Sequence, residues 1–260
     1  MNDRMILQLL DAERQTIADT DVMLEKTPYV VRAIGTGTEG SWNGIVYSHF
    51  SITEAEEVIK HEISYFVKIG RGFEWKVYSH DQPSDLLTRL RRHGFKIGEE
   101  EALMVLDLQE LPATLLAPAP EDIIVRAVID DLGISHFLVL EAAIWGRSTT
   151  TREFLLSSLR DQLQRNLAFV AYADHIPIGF GRVSASPQSC FAGLWGGSVL
   201  SDFRGRGVYR ALLAARIQHA KRFNSVRFLR VDALPTSRPI LERYGLKRLG
   251  STWPADWPAP

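Results

Sequence analysis

The stretch "RGRGVYRALLAAR", residues 204–216, decides the reading of this chain. It follows the strand-like "GGSVL" and opens a segment with apolar residues at Val208, Leu212 and Ala215, a helical spacing that continues to about Phe223. No Ser, Thr, Asp or Asn stands at the start to cap that helix, although the first turn of any helix exposes backbone N–H groups without intrahelical acceptors. Glycines at 205 and 207 allow close approach, and Arg204, Arg206 and Arg210 add positive charge. An uncapped, glycine-lined, basic helix start suits a phosphate or pyrophosphate.

Two familiar phosphate loops do not fit. A P-loop needs Lys and then Ser or Thr after its last glycine, whereas Val208 and Tyr209 follow Gly207. A dinucleotide fingerprint needs Gly or Ala where Arg210 stands. A literal GxGxxG does occur at "GTGTEG", Gly35 to Gly40, but a strand-like segment follows it, so we read it as a hairpin loop.

Around the loop the second half reads as the strand "IIVRAV", helices over 133–145 and 150–164, and three successive strands "LAFVAYAD", "IPIGFGRVSA" and "CFAGLWGGSVL". The turn "DHIP", with a solvated His175, joins the first two as a hairpin. The loop and its helix, the strand "RFLRVDAL" and the helix "SRPILERYGL" complete the half. In the first half, residues 5–26 show helical spacing, "YVVRAI" and "NGIVYSHF" read as strands, 53–68 as a helix, "FEWKVYSH" as a strand and "SDLLTRLRRHGF" as a short helix before the strand "EALMVLDL". The fold class expected is α+β, in a mixed α/β arrangement.

Leu90, Arg92, Gly94 and Phe95 echo Leu241, Arg243, Gly245 and Leu246, and each set follows a strand and a proline-bearing turn. With the shared element order, this points to an ancient duplication. The expected division is 1–112, a linker at 113–120 and 121–260. The helix start equivalent to the loop is "SITE", Ser51 to Glu54, a capping box beside Glu56 and Glu57 that leaves no room for an anion. Charge divides likewise: 12 Lys+Arg against 19 Asp+Glu in residues 1–117, and 18 against 12 thereafter. The acidic half mildly favours a cationic acceptor or simply keeps the protein soluble.

On these residues the chain resembles the GNAT N-acyltransferase superfamily, whose signature is Arg or Gln, two residues, Gly, one residue, then Gly or Ala. Arg204 and Gly207 match, and Tyr209 departs from the small final residue. The resemblance covers about 121–250. It implies two GNAT-like domains, the first a degenerate copy, each a mostly antiparallel sheet with flanking helices and a splayed central strand pair. It implies acetyl-CoA in the cleft of the second, with pantetheine on the backbone of Val199 and Leu200 and pyrophosphate on the amides from Arg206 to Tyr209. Arg204, Gly205, Gly207, Val208 and Arg210 complete the loop.

The resemblance further implies transfer of an acetyl group to a primary amine, with the Val199 N–H serving the oxyanion. The family's usual acid is a Tyr four residues before the last helix's Gly, and here that position is Leu241. Tyr244, one turn along, is the candidate acid; Asp232 and Glu141 are candidate bases. A CoA-binding module without catalysis is the alternative. Trp145 and Trp195 are candidates for an acceptor pocket, and the terminal "STWPADWPAP" for a segment that folds back to wall it.

The single Cys190 allows no intramolecular disulfide, and the seven histidines include no metal-ligand spacing. We expect no metal, a reducing cytoplasmic setting, no signal peptide or membrane span, no nucleic-acid partner and a small-molecule amine acceptor, on a monomer that is a pseudo-dimer of its two domains, or on a homodimer.

Overall fold

The computed structural model describes residues 1–16, 22–36 and 42–258. The described residues fall into two compact units. The first comprises residues 1–104, 232–240 and 248–260, the second 105–231 and 241–247. The sequence division at 113–120 is sequential and these units are not, because each takes a strand from the other half of the chain.

The first unit holds α1 (Asp3–Arg14), β1 (Val22–Lys26), β2 (Val30–Gly35), β3 (Gly44–Ser48), α2 (Ala55–Lys68), β4 (Phe73–Tyr78), α3 (Leu86–Arg92), β5 (Lys96–Ile97) and the start of β6 (Glu101–Asp107). Helical spacing over 5–26 holds only to Arg14. Val22–Lys26 instead pair antiparallel with Val31–Gly35, since the backbone donors of the β2 edge need a partner strand. The reading of Gly35–Gly40 as a hairpin loop lies mostly outside the described residues. β3 and β4 run parallel but pair only at Gly44–Glu74 and Ile45–Trp75. The core is aromatic: Phe66 stacks on Phe73 at 4.1 Å, and fully buried Trp75 meets Phe95 edge-on.

The second unit holds α4 (Ala113–Leu116), β7 (Ile123–Ala127), α5 (Asp131–Trp145), α6 (Arg152–Arg160), β8 (Asn166–Ala173), β9 (Ile176–Ser184), β10 (Phe191–Val199), α7 (Val208–Ala220), β11 (Phe228–Ala233) and α8 (Arg238–Arg243), the last two continuing into the first unit. β7, β8, β9 and β10 form an antiparallel meander, with Asp174 and His175 at φ 47° and 68° in the β8–β9 turn. Successive β9 residues face opposite sides of the sheet. Phe180 turns to α5, where Phe137 meets it edge-on at 4.9 Å, while Gly179 and Gly181 turn to α7.

The last strand, β12 (Lys247–Trp257), corrects one expectation. "STWPADW" is no cover segment: Thr252–Trp257 pair antiparallel with Phe73–Tyr78 of β4, inside the first unit. In the second unit the end of β6 takes the corresponding place beside β11, where Leu108 N–H donates to the Arg227 carbonyl at 2.8 Å and Arg227 pairs with Asp107.

The internal echo is a shared helix end. In α3 and α8 alike a buried leucine carbonyl, Leu90 or Leu241, accepts from the N–H five residues on, Phe95 at 3.1 Å or Leu246 at 3.2 Å. The intervening Gly94 and Gly245 hold φ of 94° and 86°, the left-handed turn in which glycine bears no Cβ penalty. "SITE" forms only half of a capping box. Glu54 reaches back to Ser51 N–H at 2.9 Å, but Ser51 Oγ donates to the same carboxylate and caps no helix amide.

Candidate active site

β10 and β11 are parallel and pair only at Phe191–Phe228, Ala192–Leu229 and Gly193–Arg230. Beyond Gly193 they part, and β10 bulges against β9 between Trp195 and Ser198. The bulge is Gly196 and Gly197, with φ of 64° and 105°. A side chain on Gly196 would meet Phe180 and Trp145, and one on Gly197 would meet Arg216 and Tyr209. The bulge is thus lined by α5 on one face and α7 on the other. Trp145 Nε1 donates to Ser198 Oγ at 3.1 Å, and Trp195 Nε1 to Ser184 Oγ at 2.9 Å, leaving both rings partly exposed beside it.

Past the bulge, the Leu200 N–H donates to the Ile178 carbonyl at 2.9 Å, and its own carbonyl accepts from Phe203. The Leu200 N–H is therefore spent on β9, so any part of Leu200 in holding pantetheine falls to its carbonyl, which the following turn shares. Strand alternation turns Val199 the other way, and its carbonyl accepts from Arg204 Nε at 3.2 Å. The Val199 N–H thus faces the edge where the strands part.

The loop then turns through Gly205 and Gly207 at φ 77° and 80°. Gly207 is the N-cap of α7, with no side-chain cap. The first intrahelical bond runs from Ala211 N–H to the Gly207 carbonyl at 3.0 Å, so the amides of Val208, Tyr209 and Arg210 precede the ladder. The arginines have protein partners. Arg204 holds the Val199 carbonyl, Arg206 pairs with Asp122, and Arg210 donates to the carbonyls of Ala117 and Pro118 at 2.7 and 2.9 Å. Arg210 braces residues 117 and 118 onto the helix, so the loop presents its backbone amides and the helix dipole more than its arginine side chains.

These features are decisive together with one comparison: residues 135–245 match the Acetyltransferase (GNAT) family. They are a GNAT domain. Across the whole chain the fold is similar to a GCN5-related N-acetyltransferase from Kribbella flavida (TM-score 0.70, 14% identity, 99% of this chain and 96% of that one). It is also similar to a tandem GNAT protein from the clavulanic acid biosynthesis pathway (TM-score 0.58, 15% identity, 96% and 88%) and to a functionally unknown conserved protein from Staphylococcus epidermidis (TM-score 0.64, 15%, 95% and 99%). Among curated protein sequences there is no match. Among the described residues no helix is long and apolar enough to cross a membrane.

Within the GNAT domain the candidate chemical groups fare unequally. Leu241, where the family places its acid, is buried at 1% exposure, and its side chain is apolar. Tyr244 is half-buried and stacks on Tyr209 at 6.1 Å and 20°, which sets it beside the loop. Glu141 is buried and accepts five hydrogen bonds from Ser148, Thr149 and Thr150. Burial opposes its ionisation, but these donors outweigh burial and hold its carboxyl below the ordinary range. It anchors the α5–α6 connection and is not free to act as a base. Asp232 belongs to the first unit, where Lys76 lies 3.2 Å from it and also pairs with Glu101. Burial works against the Lys76 charge, and the two carboxylates more than offset it.

The sequence reading missed Arg216. It is fully buried, its Nε donates to the Leu212 carbonyl at 3.1 Å, and Nη1 and Nη2 have no hydrogen-bond partner among the described residues. Burial pulls the guanidinium below its ordinary range, with the Tyr209 phenol opposing. Its one sequence signal was a cation on the apolar face of an otherwise buried helix.

Proposed function

We propose that the GNAT domain transfers an acetyl group from acetyl-CoA to a primary amine. The observation that carries this is the uncapped start of α7, with Gly205 and Gly207 in left-handed turns, set where β10 and β11 part. The residues fit the donor: a Cβ on Gly205 would meet nothing within 4 Å, and three amides ahead of the helix ladder await an acceptor. In this reading the amides from Arg206 to Tyr209 hold the pyrophosphate, with the α7 dipole behind them. Bound acetyl-CoA supplies an activated thioester.

The Val199 N–H, turned to the open edge, donates to the oxyanion that develops on the thioester carbonyl. The bulge at Gly196–Gly197 keeps side chains away from the reacting carbon. Trp145 and Trp195 border the side from which the amine arrives, and orientation there supplies much of the rate. Tyr244, stacked on the loop's own Tyr209, is the candidate proton donor. The acceptor we infer is a small amine, met in the cytoplasm by a monomer or homodimer. The buried Leu241 and the engaged Glu141 and Asp232 favour a second reading, a CoA-binding module without turnover. Steady-state thiol release with a panel of amines separates the two.

The test is the thermal midpoint with and without acetyl-CoA. Gly205→Asp is the cleaner variant, because Asp tolerates a left-handed turn and its charge enters open space, whereas a Cβ on Gly207 would stand 3.1 Å from Pro120 Cγ. Ligand at about 100 times its Kd adds about 2.7 kcal/mol, a rise of several degrees. A folded wild type that does not shift overturns the proposal; a shift lost in Gly205→Asp supports it.

A further inference from the structure

Arg216 is a buried cation with no carboxylate beside it among the described residues and only the Tyr209 phenol acting on its charge, and leaving such a group without a counterion costs several kcal/mol. The fold nonetheless keeps room for it. The Cβ positions of Gly181 and Gly197 stand 3.1 and 3.2 Å from its guanidinium, so any larger residue on either strand would press on it. It lies beneath the β10 bulge, nine residues along α7 from Gly207, about 14 Å by helix rise. One helix thus presents an anion-binding start and, a pantetheine arm's length away, an unpaired cation under the strand opening.

We propose that Arg216 takes up the negative charge of the CoA sulfur when the thioester breaks. This rests on the GNAT domain binding CoA as proposed above. The amine nitrogen forms a bond to the carbonyl carbon, the C–S bond breaks with its electron pair on sulfur, and the surplus proton of the amine passes to water. Arginine cannot give up a proton at neutral pH, so it stabilises the sulfur as a thiolate and does not protonate it. That supplies by charge what Leu241 cannot supply as an acid. An interaction made only as charge develops favours the transition state over the bound substrate.

The guanidinium is enclosed by β9 and β10, which meet it with Gly181 and Gly197, and by the Tyr209 ring, whose centroid is 5.7 Å from Cζ. Tyr209, with Tyr244 stacked beside it, brings the titratable groups to this spot. Access of the sulfur to the guanidinium requires the half-buried Tyr209 ring to rotate aside.

The experiment is calorimetric titration of the full chain with CoA and with acetyl-CoA at about pH 7.5, in two buffers of different ionisation enthalpy, with the thiolate absorption band recorded in parallel. Both ligands carry the same phosphates, and only CoA has an ionisable thiol. A thiol beside Arg falls to a pKa of about 7.5 or lower, so CoA binding releases about half a proton or more beyond acetyl-CoA, and the thiolate band appears. Arg216→Met abolishes that difference while acetyl-CoA still binds, and Arg216→Lys retains most of it. Equal proton release by the two ligands on wild type, with no thiolate band, overturns the proposal whether or not Arg216→Met folds. If wild type binds neither ligand, the acetyl-CoA reading itself falls and takes this one with it.

Discussion

A carboxylate in the right domain is not thereby a base, and Glu141 shows why. Its two oxygens accept from two backbone amides and three hydroxyls of Ser148, Thr149 and Thr150, which ties the end of α5 to the start of α6. Because those bonds hold the folded pKa below the unfolded one, the stability they contribute is present at neutral pH. It is lost as the pH falls through the folded value. Glu141→Gln is expected to cost about 2–3 kcal/mol at neutral pH, and the gap from wild type should narrow as acidification carries the pH below the ordinary glutamate range and through the lowered folded value. Thermal melts across pH test this; a gap that stays constant on acidification would mean the carboxylate charge has no part in it. The arginines of the loop carry the same lesson, since Arg210 is committed to the Ala117 and Pro118 carbonyls and Arg206 to Asp122.

At the scale of elements, α3 and α8 end alike, and the comparison isolates one contact. An alanine at either Gly94 or Gly245 incurs a left-handed cost of about 1–2 kcal/mol. At Gly94 the new Cβ would touch Trp257 at 3.4 Å, an ordinary contact; at Gly245 it would stand 2.5 Å from Pro112 Cγ. Gly245→Ala should therefore destabilise more than Gly94→Ala, and equal midpoints in denaturant would remove Pro112 as a constraint on α8. These helix ends were legible because they are local: a leucine, a basic turn and a glycine within six residues specify the hydrogen bonds. The α7 start was legible for the same reason. The fates of Glu141, Leu200 and Arg210 were not, since each depends on a partner that only folding brings near. Neither was β1, whose residues 22–26 continue a helical spacing in sequence yet complete the edge of β2. Arg216 is the sharpest case, because its meaning lies in what is missing around Nη1 and Nη2.

At the scale of the whole molecule, the two units are not two successive stretches of the chain. The first unit is completed by β12, from the end of the chain, and the second by the end of β6, from the first half of the sequence. β12 is no ornament on the first unit: six of its residues are in register with β4, Thr252 and Ala255 are fully buried, and Trp257 covers Phe95 at 5.2 Å. A fragment cut at the apparent sequence boundary, residues 1–112, would leave β4 as an unpaired edge beside an uncovered aromatic core, a template for aggregation. It should lack a cooperative melt and bind a hydrophobic dye. A peptide spanning residues 246–258, added in excess, should restore cooperativity, because the missing strand and its Trp257 return in the same register. If fragment 1–112 alone unfolds cooperatively at the midpoint of the full chain, then β12 contributes no more than an edge decoration. Its indifference to the peptide would then make the sequence boundary a true folding boundary.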